Sequence, residues 1–180
     1  MDFSLSDEQQ SLQETARRFA QTEIAPNAAH YDQAGEFPRE IIKQAWELGL
    51  VSMCVPEVYG GVGLSMLDSC IAVEELAWGC AGMATSIMCN DLGLMPILVG
   101  GSEEQKKRWL TECTSEFKLV SFCLSEPNAG SDVAGMQLLA ERDGDHYVLN
   151  GTKCWITNGG EADLFTVFAT LDRASRHKGV

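Results

Sequence analysis

Apolar residues in the first two thirds of the chain recur at the three- and four-residue spacing of helices that bury one face, and a helix-start signal precedes most runs. Ser6 and Gln9 form a capping-box pair, and Leu12, Ala16, Phe19, Ala20 and Ile24 repeat at helical spacing until Pro26. This predicts a helix over 7–25. Pro38 suits a first-turn position, Ile41, Ile42, Ala45, Trp46 and Leu48 share a face, and Gly49 marks the stop of a helix over 38–48. Ser65 with Asp68 opens a third helix that ends near Gly79 and turns Leu67, Cys70, Ile71 and Leu76 toward a core. From Ala81 to Val99 the chain is apolar nearly all round, broken by Asn90, Asp91 and Gly93. That pattern predicts a central helix covered by its neighbours, with Pro96 at its bend or end. Ser102 and Gln105 cap a last short helix that stops near Thr114.

Beyond Phe117 the period shifts from 3.6 toward 2 and β-formers replace helix formers, the change expected between domains. A helical domain over 1–116 is predicted, followed by a β domain over 117–180. Candidate strands are 118–125, 135–142, 146–150, 152–157 and 164–170, with turns at Asp143-Gly144-Asp145 and Asn150-Gly151. The fold class is α+β. The last residues, Lys178-Gly179-Val180, stand where a further strand could start, so the sheet is expected to have open edges and to be incomplete.

Composition narrows the function classes. Thirteen Lys and Arg face 26 Asp and Glu, a formal charge of −13, which disfavours nucleic acid and anionic membrane as partners. No apolar run approaches the roughly 20 residues of a membrane span, and Met1–Gln10 has neither a basic start nor an apolar stretch. A soluble, untargeted chain is expected. The seven cysteines include no CxxC and no zinc-like cluster, so they read as reduced core thiols; Cys70, Cys80 and Cys89 lie in apolar helical segments. His30, His146 and His177 are scattered and read as surface residues, and no metal site is expected.

Two stretches carry candidate chemistry. Leu124–Asp132 is a strand end running into a Pro/Asn/Gly/Ser loop, which presents hydroxyls and backbone N–H groups to a phosphate or a heteroaromatic edge. Cys154–Gly160 places a Trp at a strand end beside a hydroxyl and a glycine pair, suited to stacking on a planar ligand. Each taken alone also reads as an ordinary turn, or a core Trp before one.

Taken together and in order, these blocks resemble the acyl-CoA dehydrogenase family, most closely its medium-chain, straight-chain branch. The resemblance is carried by Phe-Ser-Leu-Ser-Asp-Glu-Gln-Gln (3–10), Ala-Trp-Glu-Leu-Gly (45–49), Pro-Glu-Val-Tyr-Gly-Gly-Val-Gly (56–63) and Glu-Glu-Leu-Ala (74–77). It continues through Asp-Leu-Gly-Leu-Met-Pro-Ile-Leu (91–98), Ser-Glu-Glu-Gln-Lys-Lys (102–107), 125–135 and 150–159. It implies an N-terminal helical domain, a middle β-barrel and a C-terminal four-helix bundle, the last absent here, with FAD bound between the last two.

The same resemblance implies site residues. Phe122, Leu124 and Ser125 would hold the pyrimidine end of the flavin, Ser125 keeping the hydroxyl of a commoner Thr. Trp155 would pack on a flavin face and Thr157 would donate toward N5, the hydride acceptor. Ser131 would contact the CoA arm, and Ala84, Thr85 and Met88 would floor the acyl pocket. Asn128 replaces a commoner Gly and suits a left-handed backbone. The catalytic base, a glutamate of the bundle, has no match in residues 1–180; Glu126 is read as a loop anchor or as the partner of an Arg. The implied activity is α,β-desaturation of a saturated short- to medium-chain acyl-CoA in β-oxidation, with electrons passed to an electron-transfer flavoprotein by a tetramer. The bacterial cytoplasm, or the mitochondrial matrix in a eukaryote, is the expected compartment. The alternative is a non-catalytic flavin- or partner-binding module derived from such an enzyme.

Overall fold

The computed structural model describes residues 4–179. Phe3 of the opening motif, and Val180, where a further strand was expected, lie outside them. Helices α1 (Asp7–Phe19), α2 (Ala25–Ala34), α3 (Arg39–Glu47), α4 (Met66–Gly79), α5 (Ala81–Gly100) and α6 (Glu103–Ser115) precede strands β1 (Val120–Cys123), β2 (Leu139–Asp143), β3 (His146–Asn150) and β4 (Leu164–Val167). This is the α+β order read from the sequence, and the described residues contain no C-terminal bundle. Ser6–Gln9, Ser65–Asp68 and Ser102–Gln105 each close a reciprocal capping box, and Gly49 ends the α3 segment with φ 73°.

Neither proline terminates its helix. At Pro26 a π-turn over Ala20–Ile24 widens the helix, so that the Ala25 N–H reaches back five residues to the Ala20 carbonyl. The widened turn admits the ring, and the Asn27 amide donates to the Glu23 carbonyl at 2.8 Å, so the helix resumes through Ala34. Pro96 likewise lies inside α5, which runs on to Gly100.

The helical core gathers Ala16, Phe19, Ile24, Ile42, Ala45, Leu50, Leu76 and Ile87. Helix α4 departs from its reading, because Leu67 and Cys70 are exposed and the buried stripe is Ile71, Ala72, Glu75 and Leu76. Glu75, only 3% exposed, pairs with Arg17, whose guanidinium lies 5.1 Å from the Trp78 ring centroid. That ion pair lies in the interface where α4 packs on α1. Cys70 is therefore not a core thiol, whereas Cys89, Cys113 and Cys123 are buried.

By length and composition α5 is apolar enough to cross a membrane, contrary to the expectation that no segment would be. Here it is a core helix, covered on one side only: Met83, Ala84, Ile87 and Leu94 are buried, while Met88 is 40% and Leu92 54% exposed. Its buried Asn90 accepts the Val120 N–H at 2.8 Å and donates to the Lys118 carbonyl at 2.7 Å and the Ser52 hydroxyl at 3.3 Å. One turn on, Gly93 lets β1 approach closely, since a Cβ there would lie 2.5 Å from Val120 Cγ1.

The strands form two separate pairs. β1 and β4 run parallel, Val120 opposite Leu164 and Cys123 opposite Val167, and β2–β3 is an antiparallel hairpin turned at Gly144 with φ 64°. Residues 152–157 form no strand, so Asn150-Gly151 is not a hairpin turn. The Cys154 N–H bonds the Ser125 carbonyl instead, and Trp155 and Asn158 take left-handed backbones.

Replacing Asn90 with Ala orphans a buried carbonyl and a buried N–H. The expected loss is about 2–4 kcal/mol, read as a lowered urea midpoint. Alkylation by iodoacetamide is expected at Cys70 well ahead of Cys89, Cys113 and Cys123, as peptide mapping would show.

Candidate functional site

The end of β1 and the 153–158 segment are stitched together by short-range polar contacts. The Cys154 N–H donates to the Ser125 carbonyl at 3.0 Å, and the Ser121 hydroxyl donates to the Thr157 carbonyl at 2.8 Å. The Asn158 amide reaches α5 at the Ser86 carbonyl, 2.9 Å away. Ser125, Trp155 and Thr157 thus come to one region although some thirty residues separate them in the chain. Trp155, with φ 58°, is 92% exposed, and the Ser125 and Thr157 hydroxyls make no hydrogen bond among the described residues. Phe122 packs its ring against Phe168 with centroids 5.0 Å apart, and Leu124 is half-buried.

Glu126 anchors this arrangement. Its carboxylate is buried and accepts the Gln137 N–H at 2.7 Å, the Leu138 N–H at 3.0 Å and the Lys153 ammonium at 2.9 Å. Lys153 also donates to the Leu124 carbonyl at 2.8 Å, tying the two candidate stretches through one cation. Glu126 is the loop anchor read from the sequence, with Lys rather than Arg as partner. Burial pushes its carboxyl up, but the Gln137 N–H, Lys153 and the Leu138 N–H outweigh it and hold it below the ordinary range.

A cleft of about 380 Å³ runs from Thr157 along the open side of α5, past Thr85, Met88, Cys89, Leu92 and Met95, to Met66 on α4. Thr85 and Met88 line it with Thr157. Ala84 does not; it is 2% exposed in the helical core on the other side of α5. Ser131 is exposed, outside the cleft, beside Asp132, whose carboxylate pairs with Arg176 at 3.1 Å. Sequence reasoning missed Met66, Asp91, Leu92 and Met95 as lining residues. The three on α5 follow Met88 at three-, four- and seven-residue intervals, a signal hidden in a helix that is apolar all round. Two of the histidines read as surface residues are exposed and lie beside acids, His30 near Glu36 and His146 near Asp145.

Helices α4 and α5 wall this cleft, and Thr157, from the loop between β3 and β4, closes its end in an α+β fold. The chain belongs to the acyl-CoA dehydrogenase family: the family's N-terminal domain pattern matches residues 6–116 and its middle domain pattern residues 121–180. It is 46% identical over 177 residues to a short-chain specific acyl-CoA dehydrogenase, mitochondrial, of Homo sapiens, covering 98% of this chain and 43% of that one. It is 43% identical over 172 residues to a Caenorhabditis briggsae protein named "Probable medium-chain specific acyl-CoA dehydrogenase 2, mitochondrial", covering 96% and 42%. A glutaryl-CoA dehydrogenase from Mycobacterium smegmatis, solved in complex with FADH2, superposes with a TM-score of 0.85 at 35% identity, over 92% of this chain and 43% of that one. The chain therefore spans less than half the length of these relatives.

Replacing Glu126 with Gln leaves the Lys153 ammonium, itself nearly buried, without its counter-ion. The expected cost at neutral pH is about 3 kcal/mol. Because the folded pKa of Glu126 is lowered, its stabilisation is present above the ordinary carboxylate range and is lost as pH falls through the folded value. The gap between the wild-type and Glu126→Gln urea midpoints is accordingly expected to narrow as pH falls.

Proposed function

We propose that this chain is the flavin- and thioester-binding portion of an FAD-dependent acyl-CoA dehydrogenase, which desaturates a saturated short- to medium-chain acyl-CoA at its α,β bond in fatty-acid β-oxidation. The observation that carries the reading is the cleft that joins Thr85 and Met88 to Thr157, beside an exposed Trp155 and two uncommitted hydroxyls. An uncovered indole and free hydroxyls fit the face and edge of an isoalloxazine.

In this reading the helical unit 1–116 supplies the acyl wall and the unit 117–180 the flavin wall. Trp155 covers one ring face, while Ser125 and the backbone at Phe122 and Leu124 hold the pyrimidine edge. Thr157 donates at the ring's centre, Ser131 meets the CoA arm, and Ala84 backs the acyl wall from the core. Bound FAD supplies the two-electron acceptor for the desaturation. Glu126 is committed to Lys153 and two N–H groups, so the base for the α-proton is assigned to a glutamate outside the described residues. The whole enzyme is read as a tetramer that passes electrons to an electron-transfer flavoprotein. Its free thiols suit a reducing compartment, the bacterial cytoplasm or a eukaryotic mitochondrial matrix.

Titrating FAD into the chain while following protein fluorescence tests this. Saturable quenching is expected, weakened about tenfold by Trp155→Ala and severalfold by Ser125→Ala or Thr157→Ala. Affinity unchanged by all three substitutions would remove the flavin assignment.

A further inference from the structure

Past Met88 the cleft meets an apolar pocket of about 150 Å³, walled by Met53, Met66, Val73 and Met95. One charged side chain, Asp91, lines both the cleft and this pocket. On α5 it stands three residues after Met88 and four before Met95, so all three share a face. Its Oδ1 accepts the Cys54 N–H at 2.6 Å, which fixes the orientation of the carboxyl. Its Oδ2 is buried and has no hydrogen-bond partner among the described residues. Buried carboxyl oxygens are rarely left unpartnered, so an oxygen held this way in an apolar pocket points to a polar group that enters with a ligand. Burial also holds this carboxyl above its ordinary pKa, partly offset by the Cys54 N–H and by the Cys54 thiol, which also lines the pocket. It therefore protonates more readily than a surface aspartate and can donate as well as accept.

Resting on the acyl-site reading above, we propose that Asp91 is a specificity-determining residue that favours thioesters whose acyl chain ends in a hydroxyl over those ending in a methyl. The methionine side chains accommodate the methylenes, as flexible thioethers do for chains of varied shape. Oδ2 pairs with the terminal hydroxyl. A methyl-ended tail reaching the same depth excludes water and leaves Oδ2 unpaired.

The test is titration calorimetry on this chain with matched pairs from butyryl-CoA to octanoyl-CoA, each against its ω-hydroxy counterpart. At the best-fitting length the hydroxylated thioester is expected to bind about tenfold tighter, the worth of one buried hydrogen bond. Asp91→Asn keeps an acceptor for the Cys54 N–H and presents an amide N–H₂ to the hydroxyl, so it is expected to retain the preference. Asp91→Leu is expected to abolish it. Equal binding of both partners of every pair by the wild-type chain overturns the proposal and leaves the acyl-site reading intact. So does a preference that survives in Asp91→Leu. Binding of neither thioester overturns the acyl-site reading and the proposal with it.

Discussion

The structure hangs on one buried amide. Asn90, at the middle of α5, accepts the Val120 N–H and donates to the Lys118 carbonyl, so it occupies both polar groups of the backbone where β1 begins. Nothing apolar could meet that donor and acceptor together, and leaving them unmet in the core would cost more than most packing contacts return. With β1 pinned to α5 and Gly93 allowing close approach, the parallel partner β4 also packs on α5. Thr166 seals the contact through a 2.7 Å bond to the Gly93 carbonyl. The Ser121 hydroxyl of β1 in turn holds the Thr157 carbonyl, at the end of the cleft that runs along α5.

A second buried polar centre does for the loops what Asn90 does for the secondary structure. Glu126 and Lys153 are nearly devoid of exposure, and each also engages backbone groups, so the pair is satisfied as well as neutralised. Its consequence is local precision. The loop after β1 and the segment before Trp155 cannot separate without unburying two charges, and this keeps the Ser125 carbonyl beside the Cys154 N–H that bonds it. The left-handed backbone at Trp155 fits the same picture, because an aromatic residue adopts φ 58° only where its surroundings over-determine it.

The helices were legible because their signals are local. Capping boxes and apolar spacing act within one or two turns, and all three boxes form where Ser6, Ser65 and Ser102 announce them. The misreadings share a cause. Pro26 breaks an ideal α-helix by a local rule, yet a π-turn over Ala20–Ile24 admits its ring and the helix resumes through Ala34. Glu75, a charge on the buried face of α4, is matched by Arg17, fifty-eight residues away. Residues 152–157 carry a strand pattern, but their hydrogen bonds go to Ser125 and β1 rather than to a neighbouring hairpin.

By itself the sequence determined the order of helices and strands, the α+β class and the motif set of the acyl-CoA dehydrogenase family. Periodicity, capping and motif spacing are properties of neighbours along the chain. Only the tertiary structure decided which side of α5 is core and which is cleft. That helix is apolar all round, and its burial depends on where β1, α3 and α4 happen to pack. The same reason separates Ala84, buried behind the cleft, from Thr85 and Met88, which line it. Asp91, an interruption in an apolar run when read along the chain, becomes the one charged group of the methionine-lined pocket once the fold brings Cys54 against it.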